Sequence, residues 1–111
     1  MSKTQDKFKA EDIKKGQGKE VFGGDHIVIH YKGTLEDGSE FDSSYKRGQP
    51  FKTRIGVGQV IEGWDMGVVG MKIGGKRKLT IPSQLAYGDQ EIGTIPANST
   101  LFFEVELIDI E

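Results

Sequence analysis

One stretch constrains this chain more than any other. Val60-Ile61-Glu62-Gly63-Trp64-Asp65-Met66-Gly67-Val68-Val69-Gly70-Met71 sets the only tryptophan on a glycine-punctuated helical pattern within a sequence otherwise patterned for strands. Ile61, Trp64, Val68 and Met71 fall at the i, i+3, i+7, i+10 spacing of one helical face, with Glu62, Asp65 and Val69 off it. Trp64 is therefore expected to point at the sheet, and Gly63 and Gly67 leave room for close backbone approach. Two readings follow from that placement: a core tryptophan, or the floor of an apolar pocket.

The 111 residues suit one domain with one core. Hydrophobic residues at 35% and charged residues at 29% are ordinary for a globular chain. A net charge of -2 gives no global attraction to nucleic acid or anionic lipid. With no cysteine, disulfides, thiol nucleophiles and thiolate metal sites are excluded. Met1-Ser2-Lys3-Thr4-Gln5-Asp6-Lys7 lacks a signal-peptide apolar run, and no stretch of about 18 apolar residues occurs. The expectation is a cytoplasmic monomer with a loose tail over residues 1–7 and a folded domain over 8–111.

Strand patterns begin at Phe8–Ile13, closed by Lys14-Lys15-Gly16-Gln17-Gly18. In His26–Tyr31, alternation puts Ile27, Ile29 and Tyr31 on a core face. Asp37-Gly38 predicts a hairpin between Thr34-Leu35 and Glu40-Phe41. Ser43 to Gln49 reads as a polar loop. After the helix, Gly74-Gly75 opens a strand ending at Pro82. Ser83 to Ser99 reads as a long loop, and the last strand sets Leu101, Phe103, Val105 and Leu107 on one face. This is an α+β domain, a single antiparallel sheet folded against one helix.

Several motifs are weighed and set aside. Gly70-Met71-Lys72-Ile73-Gly74-Gly75-Lys76 matches the G-x-x-x-x-G-K of a phosphate loop, but Arg77 replaces the hydroxyl residue and the order of helix and strand is reversed. Gly56-Val57-Gly58 lacks the third glycine of a dinucleotide fingerprint, which Ile61 replaces. His26 and His30 share a strand face about 13 Å apart, too far to share a zinc ion. Lys72, Lys76, Arg77 and Lys78 read as a solvated strand face, without the interleaved aromatics of a nucleic-acid site. Asn98-Ser99-Thr100 is a glycosylation sequon of no consequence in a cytoplasmic chain.

What remains is a set of apolar residues able to reach one space: Tyr31, Phe41, Phe51, Val60, Ile61, Trp64, Tyr87, Ile95 and Phe103. Asp42 and Tyr87 are the polar groups placed to edge such a cavity.

The stretches Val28-Ile29-His30-Tyr31-Lys32-Gly33, Leu35-Glu36-Asp37-Gly38-Ser39-Glu40-Phe41-Asp42-Ser43-Ser44 and Val60-Ile61-Glu62-Gly63-Trp64 resemble the FKBP-type peptidyl-prolyl isomerases. So do Leu79-Thr80-Ile81-Pro82, Ala86-Tyr87-Gly88 and Phe103-Glu104-Val105-Glu106-Leu107, in order along the chain. The resemblance implies a bent antiparallel sheet, a half-barrel, wrapped around one short helix. It implies a pocket floored by Trp64 and walled by Tyr31, Phe41, Asp42, Phe51, Val60, Ile61, Tyr87, Ile95 and Phe103, with Arg47 beside Asp42.

By the same resemblance the catalytic set is Asp42, Tyr87, Ile61 and Trp64. The Tyr87 hydroxyl and the Ile61 N–H are the donors to a substrate carbonyl, and Asp42 orients Tyr31. The implied partners are proline-containing peptides, unfolded proteins and macrolides, with no nucleic acid or membrane; no cofactor and no metal are needed. A non-catalytic protein-binding module using the same pocket is the alternative.

Two departures from the family pattern stand out. Gly88 to Thr94 is one residue shorter than common and more acidic, and Ala97 follows Pro96 where a second proline often stands. Both bear on substrate preference and macrolide affinity. The chain also has no inserted chaperone domain near Arg47 or after Tyr87, so strong holdase activity is not expected.

Overall fold

A computed structural model describes residues 7–111; most of the tail read at residues 1–7 lies outside the described residues. Six strands form one antiparallel sheet in the order β1-β5-β6-β2-β3, with β4 also paired to β2. The strands are β1 (Lys9–Lys14), β2 (His26–Thr34), β3 (Glu40–Ser43), β4 (Phe51–Arg54), β5 (Lys76–Ile81) and β6 (Leu101–Ile110). Two helices complete it, α1 (Ser44–Arg47) and α2 (Glu62–Gly67), with a 3-10 turn at Ser83–Leu85.

Alternation in the strands sets the core. Ile27, Ile29 and Tyr31 of β2 and Leu101, Phe103, Val105 and Leu107 of β6 are all buried, as their period of two requires. Leu79 and Ile81 of β5 join them, and Trp64, Val68 and Met71 close the cluster from the helix side. The Asp37-Gly38 hairpin forms as expected: Gly38 takes a φ of 87°, Thr34 pairs with Glu40, and the Asp37 carboxylate accepts from the Ser39 N–H at 2.9 Å.

The tryptophan helix is shorter than Val60–Met71. It stops at Gly67, and Gly70 adopts a φ of 95°, a conformation no helix contains. Met71 is nonetheless buried, because Val21 N–H donates to its carbonyl at 2.8 Å and ties the turn to the preceding loop. A glycine sets the distance between α2 and the sheet. A Cβ at Gly63 would stand 2.5 Å from Ile81 Cγ2, so only glycine allows this contact.

The Ser43 to Gln49 loop is corrected: it contains the single turn α1. Ser43 is the N-cap, its hydroxyl facing the Lys46 N–H at 3.4 Å, and Gly48 ends the turn in the left-handed region. Arg77 is also no part of a solvated face. Its Nε donates to Asp12 Oδ1 at 2.8 Å and its Nη1 donates to the Gly67 carbonyl at 2.8 Å, at the end of α2. A cation there complements the carbonyls left free by the last helical turn.

Candidate functional site

A cavity of about 230 Å³ opens between α2 and the sheet. Trp64, 4% exposed, lies in its lining, surrounded by aromatic edges. Tyr31 and Phe103 meet the indole at centroid distances of 5.1 and 5.4 Å, at interplanar angles of 81° and 84°. Phe51 does so at 6.1 Å and 76°. These are T-shaped arrangements, the geometry in which the positive edge of one ring meets the negative face of another. The indole Nε1–H is buried without a hydrogen-bond partner among the described residues. Such a donor costs about 1–3 kcal/mol, and the packing of the three rings holds the indole in place against that cost.

Each wall has a local cause. Tyr31 reaches the cavity because it shares the core face of β2 with Ile27 and Ile29. Phe41 packs edge-on against Phe103 at 5.5 Å over Gly33, where a Cβ would stand 2.5 Å from the Phe41 ring. Val60 and Ile61 enter the cavity immediately before α2, with Ile61 as its N-cap residue. The Asp65 carboxylate fixes that approach by accepting from the N–H groups of Gly56 at 2.7 Å and Gly58 at 2.9 Å.

At one edge lies a polar cluster. The Tyr31 hydroxyl donates to Asp42 Oδ2 at 2.5 Å, Arg47 Nη1 donates to Asp42 Oδ1 at 2.5 Å, and Arg47 Nη2 donates to the Tyr31 hydroxyl at 3.0 Å. The Ser43 N–H completes it, donating to Asp42 Oδ1 at 2.8 Å. Burial alone would raise the Asp42 carboxyl, but the bonds from Tyr31, Arg47 and Ser43 and the guanidinium charge outweigh it and hold it below the usual range. Burial raises the Tyr31 phenol, aided by its bond to Asp42 and opposed by Arg47. Tyr87 is also raised, first by burial and then by the Asp42 charge. At neutral pH the site therefore presents a carboxylate and two neutral phenols.

The structure brings together Tyr31, Phe41, Asp42, Phe51, Val60, Ile61, Trp64, Tyr87 and Phe103. Arg47 is outside the lining and reaches it through Asp42 and Tyr31. Ile95 does not line the cavity: it is 6% exposed, bridged to Ile92 and packed in the core cluster. Gln59 does line it and was not anticipated. Its Oε1 accepts from the Arg54 N–H at 3.1 Å, and its signal was only its place next to Val60. Ser44 was missed as well. Buried at the start of α1, its Oγ accepts from the Tyr31 N–H at 2.7 Å and lies 2.8 Å from His30 Nδ1, fixing the backbone that carries Tyr31.

This lining contains no cysteine, serine or histidine, and no group of metal-ligating residues occurs among the described residues. The chain belongs to the FKBP-type peptidyl-prolyl cis-trans isomerase family, whose family model matches residues 18–108; its members are enzymes that interconvert X-Pro amides.

Among relatives, FK506-binding protein 2 of Debaryomyces hansenii is 63% identical over 87 residues, covering 78% of this chain and 64% of that protein. The chain thus spans less than two thirds of that relative's length. FK506-binding protein 1A of Neurospora crassa is 54% identical over 108 residues, 96% of this chain and 90% of the relative. The crystal structure of AtFKBP13 superposes with a TM-score of 0.88 at 45% identity, covering 94% of this chain and 93% of that one. FkpA from Escherichia coli gives 0.86 at 46% identity, over 94% of this chain and 48% of that one. No helix among the described residues is long and apolar enough to cross a membrane.

Proposed function

We propose that this chain accelerates cis-trans rotation of X-Pro amides in exposed segments of unfolded proteins, with the prolyl ring stacked on Trp64. The observation that carries the reading is the aromatic cavity itself, a box of ring edges around a buried indole with Asp42, Gln59 and Tyr87 its only polar side chains besides Tyr31. Amide rotation meets a barrier of about 18–20 kcal/mol because resonance gives the C–N bond double-bond character. The planar amide is dipolar and well solvated; the twisted transition state has lost much of that charge separation. A dry aromatic box therefore favours the twisted form. A ten-thousandfold acceleration needs about 5.5 kcal/mol of such preference.

In this reading the Tyr87 hydroxyl and the Ile61 N–H donate to substrate carbonyls. Asp42 and Arg47 hold Tyr31 in place and shape the field at the cavity edge. No bond to the protein forms, and no metal or cofactor takes part. The same cavity takes macrolides such as FK506, which the relatives' names support. The reading extends to a monomer acting in the cytoplasm on folding chains, with an apolar residue preferred before proline.

Exchange NMR on a short proline peptide tests it. Wild type is expected to speed exchange far beyond the free peptide, Trp64→Ala to lose about tenfold or more, and Asp42→Val to lose activity while remaining folded. Tyr87→Phe is expected to lose a few fold, the worth of one hydrogen bond at about 0.5–1.5 kcal/mol. Wild-type exchange no faster than the free peptide's would leave the chain a binding module.

A further inference from the structure

A second depression, of about 210 Å³, lies where β1 and its following turn meet the connection from α2 to β5. Lys14, Lys15, Lys72 and Arg77 line it, and Asp12 is its only carboxylate. That carboxylate is already taken, accepting from Arg77 Nε at 2.8 Å. The three lysines are exposed and make no ion pair among the described residues. Glu20, whose backbone bridges to Lys72, makes none with it. Lys76 and Lys78, by contrast, stand opposite Glu106 and Glu104 in the β5–β6 ladder. Four cations against one paired carboxylate leave a local surplus of three positive charges in a chain whose net charge is -2.

The site is also built, not merely charged. Arg77 is held by Asp12 and by the carbonyls of Gly67 at 2.8 Å and Val69 at 3.3 Å, with its side chain 15% exposed. Its Nη2 has no partner among the described residues and is not fully buried, so one nitrogen of a pinned guanidinium is left with free donors. Gly16, Gly70 and Gly75 give the rest of the wall bare backbone; a Cβ at Gly16 would stand 2.4 Å from the carbonyl oxygens of Lys72 and Ile73.

We propose that this depression binds the phosphate groups of a small polyphosphate compound, at a site separate from the aromatic cavity. The volume is below the roughly 300–1,000 Å³ that holds drug-sized ligands, so the occupant is a compact charged group. A pinned guanidinium with free donors and three exposed ammonium groups suit phosphate oxygens, the former by geometry and the latter as point charges. A single carboxylate would leave most of the surplus charge unmatched. The match of Gly70–Lys76 to a phosphate-loop pattern does not describe the geometry, because α2 precedes it and β5 follows; Lys72 and the glycines line the depression from a turn instead.

NMR titration of the full chain with inorganic pyrophosphate at about 0.1 M salt, where the Debye length is about 10 Å, tests the proposal. Saturable shifts are expected at Lys14 to Gly16 and Gly70 to Arg77, with the Trp64 and Tyr31 signals unmoved. The triple variant Lys14→Ala, Lys15→Ala, Lys72→Ala, all at exposed positions, is expected to bind about tenfold or more weakly. Titration with ADP separates the sources: equal affinity assigns the site to free polyphosphate, tighter ADP binding to a nucleotide, and either supports it. Shifts that do not saturate, that spread over lysines around the whole surface, or that persist with unchanged affinity in the triple variant overturn it.

Discussion

Asp42 carries opposed influences. Partial burial disfavours its charge, and the donors of Tyr31, Arg47 and Ser43 favour it more strongly, so its folded value lies below the ordinary 3.8. A depressed folded value means stabilisation that is present above the unfolded value and lost as pH falls through the folded one. The stability gap between wild type and Asp42→Asn, read from urea unfolding, is therefore expected to narrow on acidification from about pH 6 to about pH 3. A constant gap would mean that ionisation of Asp42 stabilises nothing. At this scale the sequence was most legible where a side chain carries its own chemistry. Trp64, Tyr31 and Asp42 were readable as groups able to reach one space, and the family resemblance, not the spacing, made them floor, wall and polar edge of a pocket. Ile95 was not: an apolar residue in a loop has no periodicity to orient it, and the bridge to Ile92 turns it into the core. Gln59 escaped for the converse reason, since an amide next to Val60 declares nothing until Arg54 engages it.

Among the elements, α2 was legible by its face but not by its length. The spacing of Ile61, Trp64, Val68 and Met71 described which side is buried, yet Gly70 had already left helical space before Met71. The turn α1 was hidden because Ser44–Arg47 is polar and too short for periodicity, although a serine followed five residues later by Gly48 marks its two caps. α1 is fastened to the sheet through Tyr45, whose ring stacks on His30 at 4.6 Å and whose hydroxyl donates to Glu106 at 2.9 Å. Burial, the bond to Glu106 and the charges of Glu106 and Glu104 push the Tyr45 phenol up to about 12. A raised folded value gives stabilisation that is complete below the unfolded value and lost as pH rises through the folded one. Phenolate absorbance is expected to show one tyrosine ionising near pH 12, a step absent from Tyr45→Phe. Ionisation of that residue near the free value of about 10 would mean that neither its partial burial nor the Glu106 contact persists in solution.

On the scale of the whole molecule, β2 and β6 are the spine: both are flanked by partners on each side and contribute most of the buried strand residues. β1 is their opposite, an edge strand with all six residues exposed. Amide hydrogen exchange is expected to be slowest in β2 and β6 and fastest among the strands in β1. Protection of β1 equal to that of β6 would contradict this ranking. The α+β class and the core faces were readable from alternation in β2 and β6 and from the Asp37-Gly38 turn. The strand order was not, because pairing between β1 and β5 or between β2 and β6 joins segments far apart in the chain, and no local pattern encodes a partner.

One feature of this sheet reaches beyond stability. β3 and β4 dock in tandem on the same side of β2, and the chain departs at Ser43 and returns at Phe51. The short connection from Gly48 to Phe51 can lengthen without shifting the register of β2 or the contacts of Ser44, Tyr45 and Arg47, since each doubling of a flexible connection costs only about 0.6 kcal/mol. Phe51 at one anchor and Asp42, the residue before the other, both line the cavity. A lineage can thus rewrite what greets an incoming chain at this rim while inheriting the cavity behind it intact.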